Sequence, residues 1–282
     1  MSITPQTLIE NLGDLPPLPH MAAQVLRVSA DPDATAEDLR RVISMDQALT
    51  SQILKISNSA MFGMMREVTT LTQAIMTLGM ATIKSVVIAS SAKSLYHRGT
   101  VGLQERLLWE HALVTAIASR TFAKSLRFAR IEEAFIGGLV HDIGKSVLGL
   151  KFPERYSELL DVVSNEGGEC LQLELDTFGF DHAMVGEALV NQWHLASNLQ
   201  AAVRWHHNPI HAPESNQQVA AIVALANHLA LEANVGIGNP RHLEAASLQA
   251  MEILQLRPEA LDGLKEGVRS AIEQDESMIA AF

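Results

Sequence analysis

Residues 131–150 read IEEAFIGGLVHDIGKSVLGL, an apolar run of helical length interrupted by one His-Asp doublet, His141-Asp142. The pattern predicts a single helix over 131–150. Burying an imidazole beside a carboxylate in such a helix is costly unless other groups meet them there. Neighbouring side chains on one helix diverge by roughly 100°, so His141 and Asp142 are not expected to chelate one ion in the same manner. A bridging Asp142, with His141 on one ion and other histidines on a second about 3.5–4 Å away, reconciles the pair.

Working outward, the chain reads as helix after helix. Towards the C-terminus, a helix over 153–165 closes at Gly167-Gly168, and the run 169–178 leads into a turn at Gly179. His182 opens the next helix behind Asp181, 199–207 carries His206-His207 and stops before Pro209, and 219–232 follows. A Gly236-to-Pro240 break precedes a C-terminal helical pair split near Pro258. Towards the N-terminus, 103–126 reads as one long helix carrying His111, and 81–95 as a largely apolar one. Thr35 with Asp38 and Thr70 with Gln73 form capping boxes, Asp46 caps a helix between them, and Gly79 is a stop. Ser57 to Gly63 ends a helix in a polar turn, and Pro16, Pro17 and Pro19 fix an extended lead into the helix 20–30. No segment sustains a period-2 strand pattern. The fold class predicted is all-α, a multi-helix bundle with an N-terminal helical subdomain. Its parts are expected at 12–97, 101–232 and 239–282, with the best internal boundary at Tyr96 to Thr100.

Composition narrows the function. A formal charge of −11, with 21 basic residues and no basic run, speaks against a protein whose main task is neutralising DNA or RNA phosphates. Cys170 is the only cysteine, so no intrachain disulfide can form and a reducing cytoplasm is the expected home. The N-terminal stretch has no basic segment leading into an apolar one, and the most apolar window, Ser85 to Ala92, is too brief to span a bilayer. No nucleic-acid or membrane partner is therefore expected.

The chemistry lies in the order His111, His141-Asp142, His182, His206-His207. Imidazole and carboxylate together suit Fe, Mn, Zn or Ni better than Mg, which prefers oxygen alone. His111 and His182 would complete the two halves of a two-metal site, and one of His206 and His207 would ligate while the other reaches the second ion or the surrounding shell. Lys145, three residues after Asp142, falls on the same helical side and would pair with a substrate phosphate or with a carboxylate. Each histidine has a plainer reading. His182 is compatible with an ordinary first helical residue behind an Asp181 cap, and His206-His207 with a helix C-terminus that favours imidazolium. His20, His97, His194, His211, His228 and His242 fall outside the pattern and read as surface or packing residues.

This histidine order resembles the metal-ligand order of the HD superfamily of metal-dependent phosphohydrolases, especially its HD-GYP branch. The N-terminal half, LPPLPHMAAQVLRVSADPDATAEDLRRVISMDQALTSQILKISNSAMFG and then TTLTQAIMTLGMATIKSVV, closely resembles the HDOD (HD-related output domain) family of bacterial signalling proteins. The resemblance runs from about Leu12 to at least Ala230. It implies an all-helical signalling domain that works through a signalling protein partner and holds one or two divalent transition metals, iron first. The sequence departs from that pattern at two places. Where a closing carboxylate is expected in a segment reading ALAD, it has Ala224-Leu225-Ala226-Asn227, and after His206-His207 it has Asn208-Pro209-Ile210-His211 instead of a Gly-Tyr-Pro continuation. Asn227 offers an amide oxygen to a metal but no charge.

Two readings follow from the resemblance and its departures. The favoured one is a regulatory interaction module that retains an HD-type metal site built from His111, His141, Asp142, His182, His206, His207 and Asn227, with partners met by the N-terminal helices. The alternative is a working phosphohydrolase, a phosphodiesterase or nucleotide phosphatase, with Asp142 and Lys145 in catalytic roles. No receiver, kinase or cyclase segment occurs in these residues, so input is expected from a separate protein or a ligand. The helices after Pro240 offer a surface for a homodimer.

Overall fold

A computed structural model describes residues 16–31, 33–59, 62, 64, 66–96 and 103–274. Every regular element among them is helical, as the periodicity requires. The expected boundary residues 97–100, the start of the proline-rich segment before Pro16, and Met61 and Gly63 of the polar turn lie outside the described residues.

The described residues form two compact units, one within 17–93 together with 269–274, the other of Pro16 and residues within 94–268. In the first, α1 (His20–Ala30), α2 (Ala36–Ile43) and α3 (Gln47–Ser57) precede the first part of α4 (Leu71–Tyr96). Their starts are set by local side-chain chemistry. Thr35 and Asp38 exchange side-chain and backbone bonds in a complete capping box. The Asp46 carboxylate accepts from the Leu49 N–H, and Thr70 and Gln73 bond reciprocally ahead of α4. After α3, the Asn58 side chain holds the backbone of one residue of the following segment, accepting from Val68 N–H at 2.7 Å and donating to Val68 O at 2.8 Å. Gly79 breaks α4 with a φ of 82° that other residues rarely adopt. By length and composition alone, Leu71–Lys93 is apolar enough to cross a membrane, but half of that stretch is buried within the protein, as in a core helix.

The second unit contains α5 (Leu103–Ser125), α6 (Ile131–Val140), α7 (Ile143–Lys151), α8 (Pro153–Glu166), α9 (Cys170–Phe178), α10 (His182–Gln192), α11 (Ser197–Trp205), α12 (Gln217–Glu232) and α13 (Glu244–Ile253), with α14 (Pro258–Gln274) beginning there. α12 is the central element. Its residues from Val219 to Ala230 are all buried, and it packs on α5, α6, α11 and α13. An all-round apolar helix is stable only when neighbours cover every face, and these four cover it. α6 lies along α5, and the Tyr96 hydroxyl donates to Leu139 O at 2.9 Å near the end of α6.

The predicted single helix over 131–150 is not what forms. It is two helices, α6 and α7, with His141 and Asp142 in the break between them. Asp142 sits at φ −97°, ψ 10°, and its carbonyl accepts from the Lys145 N–H at 2.9 Å in a tight turn. Packing explains the break. A Cβ at Gly144 would lie 1.9 Å from His182 O, so the backbone of α7 rides directly on the start of α10. A straight continuation of α6 has no need of that contact. The break removes the divergence expected of neighbours on one helix, and His141 Nε2 comes within 3.4 Å of Asp142 Oδ2.

Candidate metal centre

Five helix ends or faces of the second unit bring the sequence-selected residues to one point. His111 comes from the middle of α5, His141 and Asp142 from the α6–α7 break, and His182 is the first residue of α10 behind its Asp181 cap. His206 and His207 follow α11, and Asn227 projects from α12. Asp142 is at the centre, essentially without solvent exposure. Its Oδ1 lies 3.2 Å from His182 Nε2 and 3.6 Å from His206 Nε2. Its Oδ2 lies 2.7 Å from Lys145 Nζ, 3.4 Å from His141 Nε2 and 3.8 Å from His111 Nε2. His207 Nε2 is 3.0 Å from His182 Nε2. Lys145 therefore pairs with a carboxylate, one of the two roles open to it from sequence.

The outward nitrogens decide what the inward ones can do. Nδ1 of His111 meets Val235 O at 2.9 Å, that of His141 meets Gly138 O at 2.7 Å, and that of His206 meets Val203 O at 2.8 Å. His182 Nδ1 meets Glu174 Oε2 at 2.6 Å. Carbonyl and carboxylate oxygens only accept, so each Nδ1 carries the proton and donates. A neutral imidazole then presents an unprotonated Nε2 to the centre, which is how metal-ligating histidines are usually held. His141 Nε2 and Asp142 Oδ1 are buried with no hydrogen-bond partner among the described residues. Orphaned buried acceptors of this kind are rare and costly. Together they fit a cation in two overlapping ligand groups, Asp142 with His182, His206 and His207, and Asp142 with His111 and His141.

The electrostatics agree. Burial opposes ionisation of Asp142, but the surrounding imidazoles, His141 foremost, and the Lys145 ammonium outweigh it and hold the carboxyl well below its ordinary range. Burial pushes His111 down to about 4 and His206 down to about 3, and burial with the neighbouring His206 and His182 holds His207 well below its ordinary value. His182 alone moves the other way. Burial resists its charge, but Glu174 raises its affinity for a proton well above the ordinary value. A positive charge is thus favoured beside Asp142 Oδ1, whether a proton on His182 or a metal ion supplies it.

Glu174 was not singled out by the sequence. It is fully buried, and it accepts from the His182 N–H at 2.8 Å, from His182 Nδ1 and from the Tyr156 hydroxyl at 2.7 Å, with Cys170 Sγ at 3.4 Å. Burial opposes its charge, but His182 and Lys145 keep its pKa low. Its role depends on the turn at Gly179, which folds α9 back against the start of α10. The eight-residue spacing from Glu174 to His182 carries no helical signal across that turn. Gly236 is a second element with no anticipated role. At φ 111° it carries the chain so close over the His111 ring that a Cβ there would lie 2.7 Å from it, and Val235 O is thereby placed to fix the His111 tautomer.

A small, partly open pocket lies beside the centre. Its wall includes His111, Lys145, His207 and Asn227, together with Cys170 and His242. His242, read from sequence as a surface or packing residue, is part of that wall. Asn227 Oδ1 lies 2.9 Å from His111 Nε2, so the amide in place of the expected carboxylate contacts the imidazole.

Comparison with known proteins places this geometry in context. An HDOD domain protein of unknown function from Geobacter sulfurreducens superposes with a TM-score of 0.76 at 22% identity, over 96% of each chain. A candidate phosphohydrolase from Shewanella amazonensis SB2B superposes with a TM-score of 0.76 at 26% identity, over 97% of each chain. An uncharacterized protein of Treponema pallidum (strain Nichols) is 28% identical over 222 residues, which are 78% of this chain and 43% of that protein, so the chain spans less than half the length of this curated relative. Residues 15–209, well over half of the chain, match the family model of the HDOD domain. The helical unit that carries these histidines, and the helices that precede it, belong to the HDOD domain family.

Proposed function

We propose that this protein is a regulatory HDOD domain that retains an HD-type divalent metal centre and acts through interaction with a signalling protein. The observation that carries the reading is the convergence of unprotonated Nε2 atoms on a buried Asp142 whose Oδ1 has no other partner. A site of this kind is expensive to bury and is stabilised by an ion. The residues that would hold it are His111, His141, Asp142, His182, His206 and His207, with Asn227 beside them. Iron, manganese, zinc and nickel suit that donor set, with iron favoured.

Two features favour regulation over turnover. Among the described residues, Asp142 is the one carboxylate shared by the two histidine groups, Glu174 standing behind His182, and Lys145 already neutralises one of the Asp142 oxygens. In addition, the N-terminal unit exposes Met45, Met76 and Met80, and methionine-bearing surfaces adapt readily to partner proteins. On this reading the N-terminal helices meet the partner, and exposed Leu248 on α13 offers the C-terminal region to a second copy.

The pocket beside the centre supports a second reading, a phosphohydrolase. A divalent ion supplies Lewis acidity and lowers the pKa of water. Around it, Lys145 would lose its hold on Asp142 to meet a phosphate, and the pocket wall would orient the ester. Metal analysis of protein purified without chelators, followed by turnover assays with bis(p-nitrophenyl) phosphate and a panel of nucleotides, separates the readings. Stoichiometric metal without turnover supports the regulatory domain. Turnover that is lost in His141→Ala would establish the enzyme.

A further inference from the structure

The two oxygens of Asp142 have different company. Oδ2 accepts from the Lys145 ammonium at 2.7 Å, whereas Oδ1 has no hydrogen-bond partner among the described residues and faces His182 Nε2 and His206 Nε2. We propose that the centre holds a single resident divalent ion, on Asp142 Oδ1 with His182, His206 and His207, and that the Lys145 ammonium stands where a second ion would otherwise sit, on the Oδ2 side with His111 and His141. The proposal rests on the metal reading above and assigns the number and place of the ions within it.

On the Oδ1 side, His182 and His206 have spent their Nδ1 protons on Glu174 and Val203 O. Their Nε2 atoms lie 3.4 Å apart, and His207 Nε2 lies 3.0 Å from His182 Nε2. Lone pairs facing one another at hydrogen-bond distance need a proton or a metal ion between them, and only an ion engages all three imidazoles and Asp142 Oδ1 at once. Three imidazoles and one carboxylate oxygen form a complete four-coordinate N₃O set for a mid-row divalent ion.

The Oδ2 side is poorer on every count. Its carboxylate oxygen is already neutralised by Lys145, which is itself buried and, among the described residues, has no other acceptor of comparable closeness. A dication placed there would face an ammonium across a short distance in a low-dielectric interior. His111 Nε2 faces the Asn227 side-chain amide at 2.9 Å, and that amide, turned so that its Nδ2–H donates, satisfies the lone pair without an ion and adds no negative charge. Only His141 Nε2 remains bare, and it is the group a second ion would recruit once Lys145 is removed.

The full chain, loaded with excess cobalt(II) and desalted, is the probe. Elemental analysis should give one ion per chain, and X-ray absorption should count three imidazoles on it, a readout that requires no variant. His206→Ala should fall to near zero, His111→Ala should keep one ion, and Lys145→Met should rise toward two while Lys145→Arg stays at one. Two ions in the unmodified chain, two imidazoles per ion, or an ion that survives His206→Ala and is lost in His111→Ala would overturn the assignment and leave metal binding intact. A Lys145→Met protein that stays at one overturns the role of Lys145. No ion in the unmodified chain would overturn both this assignment and the metal reading.

Discussion

Replacing Glu174 tests whether the centre is held from behind, through His182. The carboxylate accepts from three buried donors: the His182 N–H, His182 Nδ1–H and the Tyr156 hydroxyl. Glu174→Ala leaves all three without an acceptor. A buried donor stripped of its partner costs about 1–3 kcal/mol, so the sum is about 3–9 kcal/mol by the same rule. That is comparable with the whole stability of a typical domain, about 5–15 kcal/mol. Glu174→Gln keeps one carbonyl acceptor and nearly the same shape. It should cost about 1–3 kcal/mol, and it should weaken metal affinity by about 10- to 100-fold because His182 loses its charged orienting partner. Urea unfolding followed by circular dichroism, on chelated protein, measures the first effect, and competition with a metal indicator measures the second. Equal unfolding midpoints for wild type and Glu174→Ala would refute the reasoning. So would a Glu174→Gln protein as damaged as Glu174→Ala, because the argument turns on the acceptor that Gln retains.

Gly144→Ala would place a methyl 1.9 Å from the carbonyl oxygen of His182, against backbone that cannot yield cheaply. Overpacking of this kind costs about 1–3 kcal/mol or more, enough to exceed the helix-propensity gain of about 1 kcal/mol, and the unfolding midpoint should fall along with bound metal. Asn227→Asp supplies the charge that the His111 side lacks, and elemental analysis of the cobalt-loaded variant should show a rise above the wild-type ion content. Acid should weaken the metal-free protein. Burial lowers His111 to about 4 and His206 to about 3 in the folded chain, whereas the unfolded imidazoles titrate near 6.5. Depressed pKa values mean that the unfolded state binds more protons. The stability from these two histidines is therefore complete above about pH 6.5 and declines as pH falls toward about 4, and urea midpoints taken across that window should drop steadily. His182 contributes with the opposite sign and in a different window: its raised proton affinity gives stability that is complete below about pH 6.5 and is lost as pH rises above it, so in His182→Gln that alkaline-side decline should disappear.

Much of the architecture was legible because helices declare themselves locally. Capping at Thr35 and Asp46, the stop at Gly79 and the cap at Asp181 depend on residues within a few positions of one another, and each appears in the structure. The residues of the centre were legible for a chemical reason. Histidines and an aspartate set in apolar helices are expensive without partners, and that expense is visible before any partner is known.

What could not be read were the features set by contacts between distant segments. The break that turns His141 and Asp142 toward one point comes from α7 resting on α10 at Gly144, some forty positions away in sequence from its cause. Glu174 carries no local signal of its role, which arises only where the Gly179 turn lays it against His182. The division of labour between the two Asp142 oxygens is also purely tertiary, since it depends on which cation and which lone pairs arrive on each side. The sequence by itself determined the helices and the identity of the polar groups that had to meet, because propensity, capping and desolvation cost are local or additive. Only the tertiary structure decided which nitrogen of each histidine faces inward and which carboxylate oxygen stays open, because those follow from hydrogen bonds between elements that the chain brings together only on folding.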